Sequence, residues 1–338
     1  PMIPWSVLLG ITLPTVGLSW LLLEYPQILH KRKKYRGNRF DSVVIAHRGA
    51  RLEGVPENTL AAFEHAVESN ADMIELDVWQ TTDKQAVVFH DPTTSRMTGK
   101  DVRIAESRYE DLPPIVPPSP EQGHKLGPHN HHQAIKIPRF HEVLAVLPAD
   151  MPLIVEFKAG AQELVQKVFA AVADAGKVEG LVWFSLQEKI NQTLREAHPE
   201  VPRITSVFSM IKYISLYWMG LLPFFAVQED IFGVPIDKVD YARIRGNSGL
   251  KSLPDFACYL IFLIFGGDPP KALMPRKLMH HMRKRGLPVW FLNVNTPGQV
   301  DAAIDLGATG FVTDCPELVR NYLLQKYPDF SPRVDYAK

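Results

Sequence analysis

Glu75 and Asp77 stand two residues apart in the apolar run Met73-Ile74-Glu75-Leu76-Asp77-Val78. Alternate residues of a strand share a face, so both carboxylates aim the same way. Two carboxylates directed into an apolar interior repel each other and cannot both ionise cheaply. A divalent cation removes that conflict, and hard oxygens suit Mg²⁺ or Ca²⁺. Alone, the pair also fits an exposed acidic strand edge with Ile74, Leu76 and Val78 as the buried face. Its company changes the balance. Glu156 lies in Leu153-Ile154-Val155-Glu156-Phe157-Lys158, a run too apolar to carry a charge without a partner, and it can supply a third ligand oxygen. Lys158, on the same face two residues later, is placed to hold a phosphate oxygen. His47 and His90 each end an apolar run. Each alone fits a hydrogen-bonded structural histidine. Together they can act as an acid–base pair, one deprotonating a nucleophile and the other protonating a leaving alkoxide. Arg48 can make a forked contact to phosphate.

These residues need elements that bring them to one place. Val43 to Ala46, Met73 to Val78, Ala86 to His90, Pro152 to Phe157, Leu181 to Ser185, Val201 to Val207, Pro288 to Val294 and Gly310 to Thr313 read as strands. Helical patterns cover Thr59 to Ser69, 161–175, 187–197, 273–285 and 297–306. Strand–helix alternation of this length means a parallel barrel or a doubly wound sheet. Polar residues sit at strand C-termini: His47, Asp77, His90, Lys158, and Asn293 or Asn295. Strand ends from all round the chain converge only if the strands close, so the expected fold is an α/β, TIM-type (β/α)8 barrel. No Gly-x-Gly-x-x-Gly follows the first strand. One connection is too short for a helix. Thr81-Thr82-Asp83-Lys84 reads as a turn, and a hairpin about Asp83/Lys84 sets Asp77 opposite His90.

The 338 residues, 46% of them hydrophobic, suit one such barrel with additions. Lysines and arginines number 37 and aspartates and glutamates 37. A zero net charge argues against a dedicated nucleic-acid partner. Cys258 and Cys315 make no disulfide framework and exclude a Cys-rich zinc site. Met2 to Leu23 carry no charged side chain, and Lys31-Arg32-Lys33-Lys34 follow. A secretory signal peptide would carry its basic residues before the apolar stretch; the order here, basic after apolar, favours an uncleaved N-terminal transmembrane helix over that reading, with the body on the cytosolic side. The expected division is a membrane anchor over 1–24, a basic linker over 25–40, the barrel over 41–325 and a tail over 326–338. Insertions are expected at about 113–138 and 208–270. The second holds the apolar pieces Ile211 to Val227 and Phe256 to Phe265, which read either as helices on the barrel or as a lipid-gripping element. His124, His129, His131 and His132 in the first have irregular spacing and read as solvated loop histidines rather than a Zn²⁺ site.

The motifs together resemble a known family. His47-Arg48-Gly49, Pro56-Glu57-Asn58-Thr59, Glu75-Leu76-Asp77-Val78, Thr81-Thr82-Asp83, His90-Asp91, Glu156-Phe157-Lys158, Trp290 through Asn295, Gly307-Ala308-Thr309-Gly310 and Thr313-Asp314 look like the glycerophosphodiester phosphodiesterases. The resemblance runs from about Val43 to Leu323. It implies a phospholipase C-like barrel, a divalent metal, and hydrolysis of a phosphodiester to a phosphomonoester and an alcohol. Carried onto this chain, it makes His47 and His90 the acid–base pair, and Glu75, Asp77 and Glu156 the metal ligands. Arg48 and Lys158 become phosphate-binding residues, with Glu57, Trp290 and Asn293 in support. The anchor, Leu112-Pro113-Pro114 and Gly220-Leu221-Leu222-Pro223-Phe224 resemble the membrane-associated eukaryotic branch. That implies a lysophospholipase D of the endoplasmic reticulum membrane, releasing lysophosphatidic acid and a head-group alcohol. The loop 117–138 and the charged segment 237–251 depart from that branch. Three other readings stand beside it: a phosphatidylglycerol-type phospholipase C, a phosphodiesterase of water-soluble glycerophosphodiesters, and a non-catalytic lipid-binding barrel.

Overall fold

In β1 (Val43–His47) and β2 (Met73–Gln80) nearly every residue is buried, which is the pattern of strands covered on both faces. The structure, a computed structural model, describes residues 16–33, 43–116, 135–236 and 275–330. β3 (Ala86–Val88) pairs antiparallel with β2 and lies off the main path. β4 (Leu153–Phe157), β5 (Leu181–Phe184), β6 (Phe232–Pro235), β7 (Val289–Leu292) and β8 (Gly310–Thr313) are parallel to β1 and β2. Their order is β5-β4-β2-β1-β8-β7-β6. The stretch before Ser206 closes the ring. Arg203 bridges Trp183 of β5, and Ile204 bridges Ile231 beside β6, both in the parallel sense. The Ile204 N–H donates to the Trp183 carbonyl at 3.1 Å, and the Thr205 N–H to the Ile231 carbonyl at 3.0 Å.

Each parallel position is followed by a helix. These are α1 (Leu60–Glu68), α2 (Phe140–Val146), α3 (Gln162–Asp174), α4 (Glu188–Ala197), α5 (Val207–Trp218), α6 (Arg276–Lys284), α7 (Pro297–Leu306) and α8 (Pro316–Lys326). The expected TIM-type barrel is therefore present. Val43, Ile45, Ile154, Val182 and Val312 pack together inside it. Ile74, Leu76, Val78 and Val155 pack outward against helices. Glu75 and Asp77 thus face the barrel interior, 4% and 0% exposed, and do not form an open acidic edge.

Three expectations need correction. Residues 208–270 are not wholly an insertion. Val207–Trp218 is the fifth barrel helix and Phe232–Pro235 is a barrel strand. That strand is four residues long with a glycine and a proline, so it carries little β signal. Val201 to Val207 is not one long strand, because Ser206 caps α5 by accepting from the Ser209 N–H at 3.0 Å. The hairpin register is shifted by one from that expected. Val78 pairs with Val88, and the Phe89 N–H bonds to the Asp77 carbonyl, so Phe89 rather than His90 lies opposite Asp77. Phe256 to Phe265, the segment 237–251 and the loop histidines 124–132 lie outside the described residues. The base of the first insertion is pinned by the antiparallel bridge Ile115–Ile135.

Gly49 permits the tight turn that follows β1. Its φ is +92°, and a Cβ there would lie 2.6 Å from the Ala62 Cβ and 2.8 Å from the Ala62 carbonyl carbon. Gly49→Ala therefore strains the backbone and pushes α1 away from β1. We expect a loss of roughly 2–3 kcal/mol in chemical denaturation. An unchanged midpoint would show that α1 can shift without cost.

Residues 16–24 are helical and pack on the barrel. Among the described residues no helix is long and apolar enough to cross a membrane. The remainder of the expected span, 1–15, lies outside them. The docking contacts lie against α6 and the turns that precede β6 and β7. His281 Nδ1 donates to the Leu23 carbonyl at 2.9 Å. Lys33 Nζ reaches the Glu229 carbonyl and, at 3.1 Å, Asp230. Burial holds His281 down at about 4, against its bond to Leu23. The unfolded chain takes up this proton near pH 6.5, the folded chain only near 4. The stabilisation is complete above pH 6.5 and is lost as pH falls toward 4. Wild type should lose up to roughly 3 kcal/mol more than His281→Gln across that window. Parallel urea titrations at pH 7 and pH 4.5 test this, and equal losses would refute it.

Candidate active site

The turn after β1 is built to present charge. Arg48 and Asn58 both adopt left-handed backbone, with φ of 55° and 57°, an uncommon conformation for such residues. The Asn58 N–H bonds to the Arg48 carbonyl at 2.9 Å. Thr59 caps α1 by accepting from the Ala62 N–H at 3.2 Å and donates its hydroxyl proton to the Pro56 carbonyl. Pro56-Glu57-Asn58-Thr59 is therefore a cap whose two middle side chains point into the site. Asn58 Nδ2 donates to Asp77 Oδ2 at 2.7 Å. Glu57 takes Arg48 at 3.0 Å and Arg96 at 2.6 Å.

Within β2 and at the C-terminal end of β4, Glu75, Asp77 and Glu156 bring carboxylate oxygens within 4.8 Å of one another, all buried. The register pairs Asp77 with Glu156 across the two strands. Lys158 Nζ lies 2.8 Å from Asp77 and 2.7 Å from Glu156. Arg48 Nε lies 3.3 Å from Asp77 Oδ2, and the Arg48 N–H donates to Glu75 Oε2 at 3.0 Å. Burial acts to raise Asp77, but Lys158 and Arg48 outweigh it and hold the carboxyl well below the usual carboxylate range. Burial, then the charges of Asp77 and Glu156, push Glu75 well above its ordinary value. Burial acts to lower Lys158, but the Asp77 and Glu156 charges outweigh it and keep the ammonium charged. The donor set is three converging hard oxygens with more negative charge than Glu75 tolerates. It fits Mg²⁺ or Ca²⁺.

Both histidines carry a carboxylate on Nδ1. His47 Nδ1 is 2.6 Å from Asp314 Oδ1, and His90 Nδ1 is 2.6 Å from Asp91 Oδ1. Burial acts to raise Asp314, but its bond to His47 and the Arg51 charge hold it far below the usual range. Asp91 sits at about 2, its burial outweighed by His90 and Arg96. Ionised carboxylates only accept, so each Nδ1 donates and each Nε2 is left to exchange a proton. His47 Nε2 lies 3.9 Å from Glu75 Oε2. Burial, then Arg48, lower His47 against the pull of Asp314, so its imidazole is neutral near pH 7.

Sequence reasoning found the acids, bases and cations but missed what holds them. Asp314 follows β8 and takes a forked contact from Arg51 at 3.0 and 2.7 Å. Asn295 donates to it at 2.9 Å and accepts from its N–H at 2.7 Å. Arg96 ties Asp91 to Glu57, linking the two histidine arms. The signal available for Asp314 was its place one residue past a strand end, the rule that had flagged His47 and Lys158. Trp290 is elsewhere. It fills the barrel interior in register with Gly310, where a Cβ would meet its ring at 2.6 Å, and Gly310 pairs with Val43 at the start of β1. Asn293 makes the left-handed turn after β7, and Asn295 reaches the acid–base network. A second carboxylate–histidine group, Glu53, His65 and Glu317, is more exposed. It is bonded internally, His65 to Glu53 and the Glu317 N–H to Glu53, and ties the β1–α1 turn to α8.

Asp314→Asn keeps the shape but removes the charge that fixes the His47 tautomer. We expect kcat to fall by ~10²-fold or more, with KM little changed and an altered pH–rate profile. A normal kcat and profile would reduce Asp314 to a structural tie between Arg51 and Asn295.

The sequence pattern of the glycerophosphoryl diester phosphodiesterase family matches residues 47–214. Lysophospholipase D GDPD1 of Homo sapiens is 32% identical over 305 residues, covering 90% of this chain and 92% of that protein. Lysophospholipase D GDPD3 of Homo sapiens is 28% identical, covering 94% and 96%. Among solved structures, a phosphodiesterase of Oleispira antarctica in complex with the product sn-glycerol-3-phosphate superposes with a TM-score of 0.56. It is 18% identical and covers 84% of this chain and 97% of its own, a likeness of fold.

Proposed function

The chain belongs to the glycerophosphodiester phosphodiesterase family, and from that membership we propose that it is a metal-dependent lysophospholipase D of a membrane surface. It is a phosphodiesterase; the substrate, the metal and the step-by-step chemistry are the proposal. The observation that carries it is the convergence of two Nδ1-anchored histidines on a buried three-carboxylate cluster flanked by Arg48 and Lys158. Glu75, Asp77 and Glu156 would hold the cation, which when bound supplies positive charge to the phosphoryl oxygens. Arg48 and Lys158 bind the phosphate and orient it. Neutral His47 takes a proton at Nε2 from the attacking water. The water oxygen bonds to phosphorus, and the bond from phosphorus to the head-group oxygen breaks. His90 delivers a proton from Nε2 to that oxygen, so the head group leaves as an alcohol and lysophosphatidic acid remains.

The lipid substrate is supported by the lysophospholipase D names of two relatives spanning nearly the whole chain. Membrane association is supported by the charge-free run Met2 to Leu23. The basic residues after it favour a cytosolic barrel, and the endoplasmic reticulum as its site rests on family resemblance. A second reading, turnover of water-soluble glycerophosphodiesters, is favoured by the sn-glycerol-3-phosphate complex of the Oleispira protein. Comparing kcat/KM for lysophosphatidylcholine and glycerophosphocholine separates the two. The proposal requires the lipid to be preferred, and preference for the soluble diester would replace it with the second reading.

A further inference from the structure

A helix lying on a soluble barrel buries one face and turns polar side chains outward. The helix at residues 16–24 does not. Ser19 and Leu22 are buried against the barrel, and Pro26 continues that side. The outward side is Val16, Leu18, Trp20 and Leu21, then Ile28 at 61% exposed. This side is apolar up to Glu24, whose carboxylate is paired with Lys284.

A second apolar surface adjoins it. The turn after α5 exposes Met219 at 60%, Phe224 at 47% and Phe225 at 43%. The two surfaces are fastened together. The Ser19 hydroxyl donates to the Gly220 carbonyl at 2.5 Å, and His30 Nε2 lies 2.7 Å from the Pro223 carbonyl. Lys31 and Arg32 are exposed at the edge of this surface. Residues 2–15, which feed into the helix, contain no charged side chain. Aromatic and aliphatic side chains bordered by lysine and arginine are the composition of an interfacial lipid contact.

The position of this surface sets an orientation. The N-terminal segment meets the chain just before β6, at Gln228 to Asp230, and just before β7, at Lys284 to Gly286. Those are the N-terminal ends of the strands. His47, Glu156 and Asp314 lie at the C-terminal ends, the opposite face of a parallel barrel.

We propose that this face docks on an anionic lipid bilayer, with residues 16–29 and 219–225 in the interfacial layer and the catalytic mouth turned away from that bilayer. The inference rests on the membrane reading above and deepens it. A substrate then arrives at the mouth from the aqueous side, as a dispersed one-chain lipid or a glycerophosphodiester, rather than rising directly out of the leaflet beneath the barrel. The lipid occupant is favoured over a second copy of the chain by the charge-free run leading into this face and by the basic residues at its edge.

The test uses the full chain with vesicles of phosphatidylcholine containing phosphatidylserine. The bound fraction and amide hydrogen exchange are measured in the same samples. Binding should slow exchange in 16–33 and 216–226 and leave the mouth turns 48–58, 90–99 and 293–296 unchanged. The double variant Phe224→Ser/Phe225→Ser should partition roughly tenfold or more weakly, with unchanged turnover of soluble glycerophosphocholine. Slowed exchange at the mouth turns in bound protein would overturn the orientation while leaving membrane association standing. Absence of vesicle binding would overturn both. Concentration-dependent slowing of 216–226 without vesicles, lost in the double variant, would assign this face to a second copy instead.

Discussion

His47→Ala should lower kcat/KM by ~10³-fold, with folding intact. General acid–base catalysis contributes on the order of 10²–10⁴, and His47 has no substitute among the described residues in contact with its partners. Its Nδ1 is fixed by Asp314 at 2.6 Å, and its Nε2 stands 3.9 Å from Glu75. Among the described residues nothing else places a neutral proton acceptor at that point. The imidazole is partly exposed, so removing it leaves no large apolar cavity, and thermal unfolding should move by only a few degrees. Steady-state kinetics with a head-group release assay measures the loss. A fall of less than tenfold would mean that the proton leaves by another route and that the His47–Asp314 pair is structural.

Glu75→Ala should abolish metal-dependent turnover and raise the stability of the cation-free protein. The two effects have one cause. Burial and the charges of Asp77 and Glu156 already drive Glu75 toward its protonated form, so removing it relieves repulsion within the cluster. The same removal takes away one of three oxygens within 4.8 Å of one another. Charge supplied by a bound metal ion is worth several kcal/mol in phosphoryl chemistry, or ~10³-fold in rate. Calorimetric titration with Mg²⁺ and with Ca²⁺, alongside kinetics before and after chelation, checks the assignment. Wild-type heat of binding retained in Glu75→Ala would remove Glu75 from the metal site. Lys158→Ala gives a useful contrast, because it frees Asp77 and Glu156 of their ammonium partner while leaving every carboxylate in place.

The acids and bases were legible because each breaks a local rule. A charged residue inside Leu153-Ile154-Val155-Glu156-Phe157 needs a partner, and period two put Glu75 and Asp77 on one face. The same alternation carried the barrel, since polar side chains at successive strand ends make sense only in a closed ring. What escaped was signalled weakly. Phe232–Pro235 is a strand by its neighbours, held between Ile204 and β7, with little propensity of its own. The hairpin register depended on how the Thr81 hydroxyl and Lys84, with φ 64°, close the turn, and the residue types alone left it one position off. The contacts of Asp91, Arg96, Arg51 and Asp314 escaped for another reason. They join distant segments, 263 residues apart for Arg51 and Asp314, and no local pattern encodes such a pairing. Trp290 was grouped with the site through the motif Trp290 through Asn295, but it lies inside β7 whereas Asn293 is in the turn that follows that strand.

The proposed lysophospholipase D activity is tested most directly by product analysis of lysophosphatidylcholine turned over by the full chain with Mg²⁺ or Ca²⁺, resolved by mass spectrometry. Lysophosphatidic acid and choline are the expected products, both lost on chelation and in His47→Ala. Monoacylglycerol and phosphocholine would contradict that activity by placing the cleaved bond on the glycerol side of phosphorus, as in a phospholipase C. No product from the lipid, with glycerophosphocholine still hydrolysed, would contradict the lipid substrate and leave a soluble phosphodiesterase built on the same site.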